Sequence, residues 1–285
     1  MLKKISKVTV VIPCFNDGDF IEETLNSVFK QTFQDFQIII VDDGSNKSTK
    51  EILKTLKDDR IHIITQNNRG PSSARNIGIK NSKSEYILII DSDDTFEASF
   101  LEKAMVILND NPQIGGVSSH CNIFVNKNKI ISEHRPKGGG VTNFLFDNNS
   151  VSFALIRKKI WEEVGGYDQK MIHGFEDWEF WIAITKKGWK VGMIPELLFN
   201  YRIKNKNSVD KNAKMNYRES NLSYIYKKHK DIYANHFTDV VDFLSDLASR
   251  NKRNEIKYKT SLDFRIGKMI LFPLRFIKRL LNNNK

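Results

Sequence analysis

One stretch decides the fold of this chain: Tyr86-Ile-Leu-Ile-Ile-Asp-Ser-Asp-Asp94. Its largely apolar first half predicts a strand buried on both faces of a parallel sheet, so the acidic residues follow directly at the carboxyl end. Open α/β sheets bind ligands at this edge. Three carboxylates within four residues require a cation close by. An Asp- and Ser-rich turn that only closes the strand is the alternative at this point.

Strands and helices alternate on the amino-terminal side of this stretch. The apolar patterns predict strands at 8–13, 36–41, 61–65 and 86–90, and helices at 20–30, 48–56 and 71–80. This alternation is typical of βαβ units and therefore of an α/β fold. Right-handed crossovers place the loops after such strands along one edge, so we expect Phe15, Asp43, Arg69 and Asp91 to line a single crevice.

The remainder of the chain predicts an extension of the same sheet and then helices. The predicted elements are helices at 100–109 and 176–187, strands at 117–124, 151–156 and 189–201, and a Lys-, Gly- and Asn-rich loop or lid at 126–150. Beyond residue 210 the pattern becomes helical and polar. We therefore expect a ligand-binding domain at 1–210 and a helical extension with a basic amphipathic tail at 211–285.

The excess of positive charge lies at one end of the chain. The net charge is +11 over 285 residues, and residues 250–285 hold eleven Lys or Arg against two acidic residues. The folded body has no basic stripe with interleaved aromatics, so we expect no nucleic-acid partner. The apolar and basic side chains of 264–281 suit an anionic bilayer surface; a terminal helix packed on the domain is the alternative.

Targeting signals are lacking in the sequence as given. Two cysteines, Cys14 and Cys121, are too few for a disulfide framework, and the first residues lack the apolar core of a signal peptide. No apolar run reaches the roughly 20 residues that cross a bilayer. We therefore expect a cytoplasmic protein that lies peripherally on the inner face of the cell membrane.

Several residues after the strands could carry chemistry. Phe15 could stack on a planar base or belong to the core, and Asp43 could accept an imide N–H or close a turn. Arg75 lies early in a helix whose amino terminus attracts anions. Farther along, Glu176 and Asp177 begin a helix among aromatic residues. A carboxylate there suits a general base, although acidic capping of the helix is the alternative.

Taken together, the ordered motifs resemble the family-2 glycosyltransferases of the GT-A fold. The motifs that carry the resemblance over about residues 5–205 are Val8-Thr-Val-Val-Ile-Pro-Cys-Phe-Asn16, Gln31-Thr-Phe-Gln-Asp-Phe-Gln-Ile-Ile-Ile-Val-Asp-Asp-Gly-Ser45, Gly70-Pro-Ser-Ser-Ala-Arg-Asn-Ile-Gly78, Asp91-Ser-Asp-Asp94, Gly165-Gly-Tyr-Asp168 and Glu176-Asp-Trp178. Each motif is weak alone, and their combination in this order is specific. The resemblance implies a Rossmann-like, mostly parallel central sheet flanked by helices.

The resemblance also implies roles for individual residues. It assigns nucleotide-sugar binding to Pro13, Phe15, Asp43, Arg75, Asp91 and Ser92, with Phe15 stacking on the base, Asp43 pairing with uracil and Asp91 contacting the ribose or sugar. Asp93 is then the ligand of Mg²⁺ or Mn²⁺ bridging the diphosphate. Asp177 is the catalytic base, with Glu176 beside it in the acceptor pocket.

The activity implied by the resemblance is an inverting, metal-dependent sugar transfer. A hexose or N-acetylhexosamine would pass from a UDP-sugar to a hydroxyl of a glycan or lipid-linked acceptor, in the synthesis of bacterial surface polysaccharide or lipooligosaccharide. A homodimer is compatible with the sequence. The alternative is a catalytically silent module that binds nucleotide or glycan at the membrane.

One residue departs from the family pattern. Many relatives place a histidine two residues after the late Tyr-Arg pair, whereas Lys204 stands there in this chain. A charged lysine cannot ligate a metal. It could contact the diphosphate directly, so we hypothesise a lower dependence on divalent metal.

Overall fold

The computed structural model describes residues 5–126, 129–204 and 216–282, with side chains described up to residue 273. The chain divides into two compact units, Met1–Ile232 and Tyr233–Lys285. The first unit contains a single sheet flanked by helices. The boundary expected at residue 210 lies outside the described residues.

The sheet of the first unit has nine strands in the order β3-β2-β1-β4-β8-β6-β9-β5, with β7 paired to β6. The strands are β1 Val8–Cys14, β2 Phe36–Asp42, β3 Ile61–Thr65, β4 Tyr86–Ile89, β5 Thr95–Phe96, β6 Ile114–Asn126, β7 Lys129–His134, β8 Ala154–Arg157 and β9 Lys190–Arg202. Strands β3, β2, β1 and β4 are parallel neighbours, and β6 is parallel to β9. The four predicted βαβ strands therefore form the parallel half of the sheet.

Helices cover both faces of this sheet. They are α1 Gly18–Phe29, α2 Lys47–Thr55, α3 Pro71–Asn81, α4 Phe100–Asp110, α5 Lys158–Val164 and α6 Glu176–Lys186. Alternate residues of β1 belong to different cores, since Val10 and Ile12 pack on one side and Val11 on the other. Burial on both faces explains why these strands are continuous apolar runs.

Helix α3 approaches β1 very closely. A Cβ atom added at Gly78 would lie 2.4 Å from Val11 Cγ1, so only glycine permits this distance. Because of this close approach, Arg75 near the start of α3 lies at the edge of the sheet where β1 and β4 end, in contact with Asp91.

The segment 126–150 is more structured than the loop that we predicted. Residues Lys129–His134 form β7, an antiparallel partner of β6, and Val141–Asn143 form a short 3-10 turn. Every residue of β7 is exposed, so backbone pairing with β6 and not burial holds this strand. The two-residue β5 and helix α5 were also absent from our prediction.

The first unit contains a further helix, α7 Arg218–Lys228. Its Ile225 is fully buried. Directly after it, His229 Nε2 lies 2.7 Å from the buried Glu179 Oε1 of α6. Lys228 contacts the same glutamate at 2.7 Å and Asp168 at 2.7 Å. Helix α7 is thus held to α6 by an ionic cluster around the buried Glu179. It is followed by α8 Lys230–Asn235.

The second unit consists of long helices, α9 Phe237–Thr260 and α10 Leu262–Asn282. Large apolar side chains of α10 are exposed, among them Leu262, Met269, Ile270 and Phe272. The basic Arg265 and Lys268 lie between them and are exposed as well. Within the described residues, no helix combines the length and the low polarity that a bilayer crossing needs.

Candidate functional site

The structure brings together the loops that follow β1, β2 and β4. The amide of Asp43 donates to the carbonyl of Cys14 at 2.9 Å, which joins the ends of β1 and β2. The hydroxyl of Ser92, after β4, donates to Asp17 Oδ2 at 2.7 Å. These bonds bring polar loops together at the carboxyl edge of the parallel strands, where the sequence predicts a ligand-binding crevice.

The residues expected to hold a nucleotide base lie on one side of this crevice. Pro13 is buried within β1, in register with Val41 of β2. Phe15, directly after β1, is 46% exposed, so it is accessible to a planar ligand. Asp43 is buried, and its oxygens accept the backbone N–H groups of Arg69 and Gly70, both at 2.8 Å.

Gln66 adds a third donor to Asp43, at 2.5 Å. A carboxylate that accepts three protein donors anchors the loop between β3 and α3. Its contact with a base stays a prediction, because a ligand donor would join or replace these bonds.

Arg75 forms a buried bridge between the two acidic motifs. Its Nη2 donates to Asp91 Oδ1 at 2.7 Å and its Nη1 to Glu176 Oε1 at 2.6 Å. The side chain is only 2% exposed. Burial alone would lower the pKa of the guanidinium, but the charges of Asp91 and Glu176 raise that pKa well above its ordinary value. Arg75 therefore stays charged and fixes the distance between the motifs.

Asp93 and Asp94 lie in contrasting surroundings although they are adjacent. Asp93 Oδ2 is 2.9 Å from the ammonium of Lys204. Asp94 is fully buried, and its Oδ1 accepts the backbone N–H of Arg202 at 2.8 Å. Burial, reinforced by neighbouring acids, raises the pKa of Asp94 well above its ordinary value and favours its neutral form. Burial likewise raises the pKa of Asp93 to about 6, against the opposing charge of Lys204.

These contacts test whether the donor loop fits the Mg²⁺ or Mn²⁺ expected at Asp93. Lys204 already lies against Asp93, and the oxygens of Asp91 accept from Arg75 and from Ser152 at 2.7 and 3.3 Å. Within the described part of the chain, no three His, Cys, Asp or Glu side chains are grouped to hold a metal ion. The residues as arranged do not fit a divalent cation, and we derive no chemical step through one.

The second acidic motif begins α6. Phe175, the residue before the helix, has the left-handed φ of 68°, which is costly for a bulky side chain. The turn that it makes places Glu176 and Asp177 in the first turn of α6. Glu176 points to Arg75, whereas Asp177 Oδ2 accepts the side-chain N–H of Asn148 at 2.8 Å.

Asp177 has the electrostatic character of a base. The residue is half-buried. Burial is the main cause that raises the pKa of Asp177 to about 6, and the negative charge of Glu176 adds to it. The charge of Arg75 and the hydrogen bonds from the Trp178 amide and Asn148 act in the opposite direction. A carboxylate with a raised pKa that is still ionised at neutral pH can accept a proton from a hydroxyl group.

Three residues of the site were missing from our predictions. They are Asp17, which contacts Ser92 and Lys204, Asn148, which contacts Asp177, and Ser152, which contacts Asp91. Asp17 directly follows the motif at the end of β1, so its position in the sequence could have indicated that it belongs to the site. Asn148 lies within the 126–150 segment, which has no readable motif, and Ser152 lies in the predicted strand at 151–156, so the sequence holds no signal for either residue.

Comparisons with known proteins identify the family of this chain. Residues 9–165 match the family described as glycosyl transferase family 2. An uncharacterised glycosyltransferase of Methanocaldococcus jannaschii is 30% identical over 211 residues, which cover 70% of this chain and 72% of that protein. TuaG of Bacillus subtilis, named as a teichuronic acid biosynthesis glycosyltransferase, is 29% identical over 211 residues, which cover 72% and 82%.

Other relatives are much longer than the matching region. The alignment covers 67% of this chain but only 28% of an uncharacterised glycosyltransferase of Rickettsia bellii, at 30% identity. The crystal structure of S. aureus TarS 1-349 in complex with UDP-GlcNAc aligns with a TM-score of 0.61 and 18% identity, covering 72% of this chain and 60% of that one. At this identity the likeness concerns the fold alone, and that fold is GT-A. The chain belongs to glycosyl transferase family 2.

Proposed function

We propose that this protein transfers a hexose or N-acetylhexosamine from a UDP-sugar to a hydroxyl of a glycan or lipid-linked acceptor in bacterial surface polysaccharide synthesis. One observation carries the proposal. The partly exposed Asp177, whose pKa is raised to about 6, is joined to the Asp91 loop through Glu176 and the buried Arg75. A base is thereby held at a fixed distance from a nucleotide-binding edge.

The proposed reaction is a single displacement with inversion. The acceptor O–H gives its proton to the carboxylate of Asp177, and the acceptor oxygen forms a bond to the anomeric carbon. The bond between that carbon and the diphosphate oxygen breaks on the opposite face, and its electron pair leaves with the nucleoside diphosphate. The proton on Asp177 then passes to water. An α-linked donor sugar would give a β-glycoside.

The donor assignment rests on the β1 and β2 side of the crevice. The exposed Phe15 ring suits stacking on a base, and Asp43 suits an imide N–H such as N3 of uracil. TarS has been crystallised with UDP and with UDP-GlcNAc, and the name of TuaG refers to teichuronic acid biosynthesis. These relatives support a UDP-linked donor and a cell-surface glycan acceptor for this chain.

A panel of nucleotide sugars tests the proposal directly. Binding and slow hydrolysis would be measured for UDP-, dTDP- and GDP-linked sugars. We expect UDP-linked donors to bind most tightly, and at least one of them to be hydrolysed or transferred. Binding without hydrolysis or transfer of any donor would favour the catalytically silent alternative.

The contact between Asn148 and Asp177 gives a prediction about pH. That hydrogen bond favours the charged carboxylate, so Asn148→Ala should raise the pKa of Asp177 further above about 6. The base acts when ionised, so transfer is lost as the pH falls through this pKa. We expect kcat/KM to fall about fivefold at pH 6 with little change at pH 8, measured as a pH–rate profile.

A control separates this effect from a general loss of stability. Asn81 is an exposed asparagine at the end of α3, and Asn81→Ala should leave the whole profile unchanged. An acidic limb that stays in place in Asn148→Ala would show that Asn148 does not tune the base.

We also propose that α10 docks on the anionic inner face of the cell membrane. Its apolar Leu262, Met269 and Phe272 are 70%, 76% and 64% exposed. Arg265 and Lys268 are exposed on the same helix. Apolar side chains at headgroup depth with cations on lipid phosphates are the two contributions that hold such a helix at a surface.

Charge reversal tests this docking. The pair Arg265→Glu and Lys268→Glu should weaken binding to vesicles containing phosphatidylserine at least about tenfold, since each basic residue contributes about 1 kcal/mol. The matched control reverses two exposed lysines of the first unit, Lys187 and Lys190, and should bind as the wild type does. Equal binding of all three proteins in sedimentation assays would contradict docking through α10.

A further inference from the structure

Lys204 lies where the sequence predicts a metal-bound diphosphate. It follows β9 by two residues. Its ammonium is 2.5 Å from Asp17 Oδ1 and 2.9 Å from Asp93 Oδ2. Asp17 belongs to the loop after β1, and Asp93 to the loop after β4. A single cation therefore ties together the two loops that flank the crevice.

The surroundings of Lys204 hold its ammonium in place. Phe20 of α1 presents its ring 5.3 Å from Nζ, a distance at which a cation is attracted to an aromatic face. Two carboxylates, those of Asp17 and Asp93, contact the same ammonium. The lysine thus places a positive charge within the acidic loop cluster.

An ammonium can also donate to a ligand. It has three N–H groups, and among the described residues two carboxylates accept from Lys204. The side chain is 33% exposed, whereas those of Asp17 and Asp93 are 14% and 15% exposed. Among these three side chains, Lys204 is the most accessible to a diphosphate that enters the crevice.

A divalent cation at Asp93 would compete with this arrangement. It would bind the same carboxylate group, which Lys204 already contacts at 2.9 Å, and would repel the ammonium at a distance of a few ångströms. Lys204 contacts the carboxylates of Asp17 and Asp93 and so supplies the positive charge that these acidic loops need without a metal ion.

We propose that Lys204 is the resident cation of the diphosphate site and takes the place of Mg²⁺ or Mn²⁺. This inference rests on the proposed function, since it assumes a nucleoside diphosphate donor. The third N–H of Lys204 donates to a diphosphate oxygen. When the bond to the anomeric carbon breaks, the electron pair stays on the diphosphate and Lys204 offsets the added charge without transferring a proton.

Calorimetric titration of UDP tests the inference without measuring turnover. The wild type should bind UDP with the same affinity, within about twofold, in EDTA and in Mn²⁺. Lys204→Met should bind UDP about tenfold more weakly or worse in EDTA, because it loses a hydrogen bond between charged groups. Wild-type affinity that disappears in EDTA and returns with Mn²⁺ would overturn the inference.

A matched control exists in the same unit. Lys228 also bridges two acids, Asp168 and Glu179, each at 2.7 Å, and its side chain is 36% exposed. Lys228→Met removes an equivalent ion pair whose partners, Asp168 and Glu179, are not among the residues assigned to UDP binding, so it should leave UDP affinity unchanged. An equal loss of affinity in both variants would assign the effect to stability and overturn the inference.

A second measurement is independent of any nucleotide. Removal of Lys204 frees Asp17 and Asp93, so Lys204→Met should bind Mn²⁺ about tenfold more tightly than the wild type, followed by electron paramagnetic resonance. Equal Mn²⁺ affinity in the two proteins would overturn the inference. If UDP does not bind the wild type in either buffer, the proposed donor is wrong, and the Mn²⁺ titration alone decides the role of Lys204.

Discussion

Replacement of Asp177 by Asn should reduce sugar transfer about 10³-fold while UDP affinity stays within about twofold of the wild type. The amide has nearly the same shape and can still accept the N–H of Asn148, but it cannot take a proton from the acceptor hydroxyl. The Asp91 loop contacts Arg75 and not Asp177, so the donor side of the site should be preserved. Transfer is measured with the donor that the panel identifies, and UDP affinity by calorimetry.

The control for this variant is Asp58→Asn. Asp58 is also a partly exposed aspartate of the first unit, but its contacts are with Arg60, just before β3. Its replacement should leave both transfer and UDP affinity unchanged. If Asp177→Asn retained a turnover near that of the wild type, the base would have to be assigned to another residue.

Replacement of Arg75 by Met should lower the free energy of unfolding of the first unit by about 3–5 kcal/mol. The Arg75 side chain is 2% exposed, and its loss leaves both Asp91 and the buried Glu176 without their cation. All four tryptophans, at 161, 178, 181 and 189, belong to the first unit, so urea unfolding followed by tryptophan fluorescence reports on this unit.

Two further variants show whether the loss of stability in Arg75→Met comes from the buried charges. Arg135 and Glu133 form an ion pair that is about half exposed, so Arg135→Met should cost less than about 1 kcal/mol. Combining Arg75→Met with Glu176→Gln removes one of the unpaired charges and should recover part of the stability. A loss below 1 kcal/mol in Arg75→Met would show that the bridge does not hold the two motifs together.

The parallel half of the fold was predictable because burial dictates its sequence. Strands β1, β2 and β4 are covered on both faces and are therefore mostly apolar, which a sequence displays directly. Strand β7 is exposed at all six positions and held by pairing with β6, so its composition resembles a loop. The two residues of β5 are too few to form a pattern.

The sequence predicted which side chains belong to the site but not which of them contact one another. The sequence places Arg75 near the anion-binding end of a helix, but its partners lie 16 and 101 positions away. Pairing over such distances depends on the close approach of α3 to β1, which the sequence marks only by Gly78. Whether a cation faces a ligand or a protein carboxylate is decided by this tertiary geometry.

The ionic cluster between α6 and α7 has a consequence for exchanging parts between relatives. A chimaera joined just after β9 would separate Glu179 and Asp168 from His229 and Lys228. Glu179 lies in the same first turn of α6 as Asp177. A chimaera that transfers residues up to 204 from one relative to another should therefore also include α7 and residue 229 of the same relative. The buried Glu179 then keeps its own partners, Lys228 and His229.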